Sequence, residues 1–422
     1  MTVLRSFLTV LIYGAFFAEL AFSDALSRQN GNLVYVILAL LLLRTATRGY
    51  SDSLQIVLSV TLIFIFVVPA AAIYIILGTD VLSLLFIFTL FSDLLLAMSR
   101  GSEPWSKSRL VNPIPHRQRS DILLLFFLLF WCAASWSFMP QTGLIGALSF
   151  TIPFGISLAI LDSVLSHRNR LFQTLLFLFA YTLTVTSFLL FRWDGFGRLA
   201  VGSLILAPLL VANARTDLGI RPYHVILFSL PALYLAQSSR YGTIEQMEDM
   251  FIGSAGHHLL VSHDILERHG FWLDGGVETF FLQYALFFFN WFPRELWPNK
   301  PFGVGLWSVD VIYGREGLGE GYSQSVGFIG EQYFYLGEFY WLGLLVMLAT
   351  LYLVRSFIKR FSFESSAPLI IFDVNLISYF WGGGATFGSR TWFMLIPAII
   401  ACWMIQRRRS VGEKSTPPLA DT

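Results

Sequence analysis

Leu54 to Leu77 reads LQIVLSVTLIFIFVVPAAAIYIIL, without one charged side chain. A helix of that length is about 36 Å long, enough to cross a hydrocarbon layer about 30 Å thick. Inside lipid the backbone has no water to bond with, so a crossing segment must close its own hydrogen bonds as a helix. Reading this stretch as a span therefore commits the chain to an all-α membrane fold.

The same reading extends outward to runs near residues 5–23, 33–48, 81–98, 121–139, 144–166, 171–191, 199–213, 223–237, 326–354, 366–382 and 391–406. The expectation is a polytopic protein of about 12 transmembrane helices. Composition agrees: 55% of the 422 residues are hydrophobic and only 13% are charged. A soluble domain carries roughly 25% charged residues. Run 5–23 is read as a retained first span, because it is long for a signal peptide and contains Glu19. The net charge of +1 leaves no basic field for nucleic acid. Cys132 and Cys402 lie singly inside apolar runs and read as small fillers rather than metal ligands or a disulfide.

Threading the spans with a cytoplasmic N-terminus puts 19 of the 28 Lys and Arg on the inner side. That bias is the positive-inside pattern, and it places both termini in the cytoplasm. The chain then divides into an N-terminal bundle, 1–237, of about nine spans and a large outer loop, 238–325. A C-terminal set of about three spans, 326–409, and a disordered cytoplasmic tail, 410–422, follow. A connection as long as 238–325 is usually functional when it is not disordered, and this one is rich in Trp, Phe and Tyr.

Three pieces of the loop are legible. Ile244 to His269 spaces apolar residues as an amphipathic helix near the surface. Phe280 to Phe292 is apolar except for Gln283 and Asn290, seven residues apart on one helical face. It is too short to span, which suits a re-entrant or interfacial helix. Pro293 to Gly321, rich in proline and glycine, is expected to be irregular.

The segment PRELWPNKP, Pro293 to Pro301, holds Arg294 and Lys300 close together on a proline-stiffened stretch beside Trp297. At phosphate depth, Arg offers a bidentate fork and Lys a compact charge; both could equally be anchors reaching for lipid headgroups. Arg192 and Arg198 bracket a short outer link, Arg390 opens the last span after Gly382-Gly383-Gly384, and Arg315 lies in GREGLGEG. Converging, they make a basic pocket against a loop in which acids outnumber Lys and Arg eleven to five. Local ion pairs, such as Arg192 with Asp194, are the alternative.

Glu331 and Glu338, seven apart, lie on one face at the outer end of the span that starts near Val326. An acid at the lip of a membrane bundle is costly and marks a functional candidate. Glu331 is suited either to take a proton from a hydroxyl or to pair with an arginine. His257, His258, His263 and His269 cluster without the HExxH spacing of a helical zinc site, so no metal is assigned, although one could serve as a base. GREGLGEG lacks the ending of a phosphate-binding P-loop.

PRELWPNKP resembles a stretch of the Wzy-type polymerases, membrane enzymes that polymerise repeat units of O-antigen, capsule or exopolysaccharide. The matching residues are Pro293, Arg294, Leu296, Trp297, Pro298, Lys300 and Pro301, followed by Gly327, Gly330, Glu331 and Tyr333 of a Gly-x-x-Gly-Glu-x-Tyr stretch. Asn299 stands where Asp is common, and Tyr335-Leu336-Gly337 where Asn-Phe-Gly is common.

The resemblance implies a GT-C-like fold in the bacterial inner membrane, with the large loop periplasmic. It implies a glycosyltransferase that needs no cofactor, using undecaprenyl-pyrophosphate-linked glycans as donor and acceptor among membrane lipids. A chain-length regulator and a flippase of the same pathway are the expected partners. Catalytic candidates are Glu331 and, from the histidines, His258. Pyrophosphate and substrate contacts fall to Arg294, Lys300, Arg390, Arg192, Arg198, Arg315, Trp297 and Tyr333. A ligase that moves finished glycan shares the leaving group. A flippase or transporter would favour short outer loops, repeated halves and broken helices.

Overall fold

The computed structural model describes residues 2–26, 31–47, 52–79, 81–99, 115–138, 145, 147–165, 178–179, 181–187, 198–216, 224, 256–267, 276–294, 296–313, 324–362 and 365–414. Among these, every regular element is helical. In chain order they are α1 Thr2–Leu26, α2 Gly31–Thr47, α3 Ser53–Leu77, α4 Leu82–Ser99, α5 Pro115–Phe138, α6 Leu148–Leu165 and α7 Arg198–Thr216. There follow α8 His257–Glu267, α9 Gly276–Phe289, α10 Val304–Tyr313, α11 Gly327–Leu336, α12 Tyr340–Phe361 and α13 Ala367–Lys414. Five helical stretches are long and apolar enough to cross a membrane: α3, α4, α6, Gly327–Phe361 and Ala367–Arg408.

Pro69 sits inside the stretch that decided the fold, yet the helix continues. A proline has no N–H to give and crowds the carbonyl four residues back. Here Leu62–Val67 widen into a π turn just ahead of it, and the helix resumes through Leu77. Gly78, in the left-handed conformation at φ 68°, ends it.

Contacts gather into two compact units, each drawing on distant parts of the chain. The first comprises Met1–Pro104, Ile220–Tyr352 and Leu376–Ser389; the second, Trp105–Gly219, Leu353–Asn375 and Arg390–Thr422. The first has an aromatic centre. Phe66 stacks on Phe88 at 4.0 Å, Phe88 meets Phe380 edge-on at 5.0 Å, and Phe328 meets Phe380 at 5.1 Å. Asp93 of α4 accepts hydrogen bonds from Arg44 of α2 and from the Tyr13 hydroxyl of α1, joining three helices.

The second unit contains buried ion pairs. The Asp162 carboxylate of α6 takes Arg215 of α7 in two bonds of 2.9 and 2.6 Å, and also accepts from Ser366 just ahead of α13. Arg355 of α12 holds Asp373 of α13 through bonds of 2.9 and 3.2 Å, with side chains 4% and 0% exposed. Removing one member of such a pair strands the other charge, typically at about 3–5 kcal/mol. Asp373→Ala should therefore lower the thermal unfolding midpoint sharply in detergent. The double variant Arg355→Met/Asp373→Leu should recover most of the loss, and no recovery would mean that the pair acts through more than its buried charge.

The structure corrects four local expectations. Pro293–Gly321 is not irregular throughout, because the apolar run after Gly303 folds as α10. Runs 366–382 and 391–406 do lie in two separate helical arms, which meet at Gly383, with φ 78° and ψ −173°. Residues 384–390 are helical, so Arg390 lies within the second arm rather than at its opening. The tail expected from residue 410 is helical as far as Lys414. Glu331 and Glu338 do not share a helical face, since α11 ends at Leu336 and Glu338 is exposed in a 3-10 turn.

Candidate functional site

The site is built on α11. Its first residue, Gly327, has φ 72°, and a side chain there would press on Ser262 and His258 of α8. A Cβ on Gly330 would come within 2.8 Å of the Ser262 hydroxyl. The two glycines of the Gly-x-x-Gly-Glu stretch thus let α8 lie directly against α11, where Ser262 donates to the Val326 carbonyl. The next residue, Glu331, is carried inward and is 3% exposed.

Its carboxylate faces the break in α13. The Gly384 N–H donates to both oxygens, at 2.9 and 3.1 Å, and Gln332 Nε2 lies 3.5 Å away. Gly383 gives up its side-chain space to the acid: a Cβ there would sit 2.6–2.7 Å from the carboxylate atoms. Among the described residues, no Lys, Arg or His lies within ion-pairing distance of Glu331.

Beside the carboxylate is a small cavity bordered by Gln283, Tyr284, Gln332, Tyr335 and Gly384, with Phe280, Phe287 and Met347 as its apolar wall. It has room for about one water. Gln283 Oε1, Gln332 Oε1 and the hydroxyls of Tyr335 and Tyr379 are buried and have no hydrogen-bond partner among the described residues. Buried polar atoms are normally satisfied, so unused donors and acceptors beside a buried carboxylate mark a place where a polar group binds.

Arg294, Trp297 and Lys300 lie together in a turn that leads from α9 to α10. The Lys300 ammonium donates to the carbonyls of Asn290 and Phe292 at 2.6 and 2.9 Å, covering acceptors left open at the end of α9. Burial, and then the charge of Arg294, hold Lys300 below the usual lysine range. Arg294 is exposed; it donates to the Lys300 carbonyl at 2.6 Å and lies 4.1 Å over the Phe302 ring. Each cation has a backbone role in shaping the turn as well as a charge.

The remaining candidates are scattered. Tyr333 packs in the core with Val261, Ile265 and Phe280, its ring 5.6 Å from Tyr340. His258 is buried edge-on to Phe66, with ring centroids 5.7 Å apart. His263 pairs with Glu267 at 3.3 Å, and burial lowers the pKa of His257. In the second unit, Arg390 is half-buried, and one of its guanidinium nitrogens has no partner among the described residues. Arg192, Arg315 and His269 lie outside the described residues, as does the side chain of Arg198, the first residue of α7.

The Gly383–Gly384 seat of Glu331 is a functional feature that no side-chain pattern in the sequence predicts. Its signal in the sequence is the glycine run itself, Gly382-Gly383-Gly384. No protein-family model, no curated protein and no solved structure matches this chain.

Proposed function

We propose that this chain is a membrane glycosyltransferase that polymerises undecaprenyl-pyrophosphate-linked repeat units into O-antigen, capsular or exopolysaccharide. The observation that carries this reading is the buried Glu331 carboxylate, seated on a helix break beside a cavity lined by unused polar atoms. The turn that bears Arg294 and Lys300 belongs to the same compact unit. In this reading the protein has about twelve spans in a GT-C-like arrangement, lies in the bacterial inner membrane with both termini cytoplasmic, and works on the periplasmic side.

The step balances without a cofactor. An acceptor hydroxyl oxygen forms a bond to the anomeric carbon of the donor, and the bond from that carbon to the pyrophosphate oxygen breaks. The electron pair leaves with undecaprenyl pyrophosphate, held by Arg294 and Lys300, while the hydroxyl proton passes to Glu331.

The test is the glycan phenotype of a deletion strain. A single repeat unit attached to the cell is the expected result, whereas long chains left on the carrier lipid would indicate a ligase. A transporter is the second reading, because the break at Gly383 in an apolar helix is the kind of feature in which transporters hold substrates and ions. It predicts that no repeat unit reaches the outer face at all. In complementation, Arg294→Ala and Lys300→Ala should each cost about 10²–10³ in rate, the worth of one contact to a developing anion. Wild-type chain length in both would return them to lipid anchoring.

A further inference from the structure

Gln283 of α9 and Asn290, the first residue past its end, are the two amide side chains between Phe280 and Phe292, and both bind backbone elsewhere in the first unit. Gln283, 3% exposed, donates from Nε2 to the Phe302 carbonyl at 2.7 Å, at the far end of the cationic turn. The rest of that side chain borders the cavity at Glu331. Asn290 donates from Nδ2 to the Ala385 carbonyl at 2.6 Å. Ala385 directly follows Gly384, whose N–H holds the Glu331 carboxylate. The carbonyl of Asn290 in turn receives Lys300 Nζ at 2.6 Å. Between these two ties, α9 lies tightly on the second arm of α13. Phe287 stacks on Phe387 at 4.5 Å, and a Cβ on Gly388 would collide with the carbonyls of Leu286 and Phe287.

We infer that Asn290 and Gln283 are positioning residues, which clamp the cationic turn at both ends and set it at a fixed distance from Glu331. This rests on the proposed transferase reading, in which the turn holds the departing pyrophosphate and Glu331 receives the proton. A base on the attacking hydroxyl and cations on the departing pyrophosphate serve one anomeric carbon, so their spacing must be held. The Tyr284 hydroxyl also bonds the Thr350 hydroxyl of α12, but that tie does not touch the turn or the Gly383 break; the aromatic contacts of α9 can slide, whereas an amide-to-carbonyl bond is directional.

Two measurements test the inference, one of them independent of activity. Nitroxides at Leu296→Cys in the turn and Ser389→Cys beyond the break, both exposed positions, report the spacing. The native Cys132 and Cys402, both buried, are replaced by Ala in this background. The distance distribution should be narrow with Asn290 present and should broaden in Asn290→Ala. It should broaden equally in Asn290→Asp, which keeps the size but loses the donor to Ala385. In single-turnover assays the same variants should lose about 10²-fold in kcat, the cost of a misplacement near 1 Å, with little change in KM for the lipid-linked donor. Asn290→Gln, which restores an amide donor, should regain part of that loss. An unchanged distance distribution in Asn290→Ala overturns the inference whatever the activity. A wild-type protein that does not polymerise overturns the transferase reading, and with it the catalytic meaning of the clamp.

Discussion

Glu331→Gln should leave the protein folded in the membrane and lower glycan transfer by about 10²–10⁴, the usual share of acid–base catalysis. The fold should survive because glutamine has the same shape and keeps one oxygen for the Gly384 N–H, which now spans both carboxylate oxygens. The change also removes a charge that is 3% exposed and has no cationic partner among the described residues, so stability should not fall. Donor binding, measured with a non-transferable lipid-linked glycan, should be unaffected, because the cations of the turn are untouched. Partial activity would make Glu331 an organiser of charge instead of the base.

The rival base is a histidine, and the structure changes how it must be tested. His258 packs edge-on against Phe66 in the aromatic centre, so His258→Ala removes buried volume and confuses loss of packing with loss of chemistry. His257→Ala and His263→Ala can be scored directly; His258 variants need the unfolding midpoint beside the rate. A dead histidine variant of normal stability, next to an active Glu331→Gln enzyme, would hand the role to histidine.

Gly383→Ala should be nearly as damaging to activity, and should also destabilise. At φ 78° and ψ −173° the backbone occupies a region reached almost only by glycine. Forcing another residue there costs about 1–3 kcal/mol. The new methyl would also sit 2.6–2.7 Å from the Glu331 carboxylate and drive it off its seat. Gly384→Ala is the matched control: its Cβ would meet Phe287 at 3.6 Å and the carboxylate oxygens at 3.8 Å, ordinary contacts, and it keeps the N–H. The prediction is checked by comparing midpoint and polymer yield for the two alanines. Equal behaviour would mean that the break does not hold the acid in place.

The sequence by itself determined the solvent and the class of element. Runs such as Leu54 to Leu77 have no charge to put in water and must close their backbone bonds internally, and the described residues are helical throughout. It also marked Glu331, because an acid in an apolar run is conspicuous, and it marked Gln283 and Asn290 for the same reason. Tertiary structure alone decided what those residues touch. The partner of Glu331 is a backbone N–H fifty-three positions away, a group that every non-proline residue carries and that no side-chain pattern announces. Lys300 and Arg294 read as free cations, yet each spends donors on carbonyls of its own turn, since helix ends and proline-rich turns leave acceptors open. Which glycine of Gly382-Gly383-Gly384 was indispensable was likewise invisible. The letters are identical, and only the path of the chain around a buried carboxylate separates a required absence of Cβ from an ordinary one.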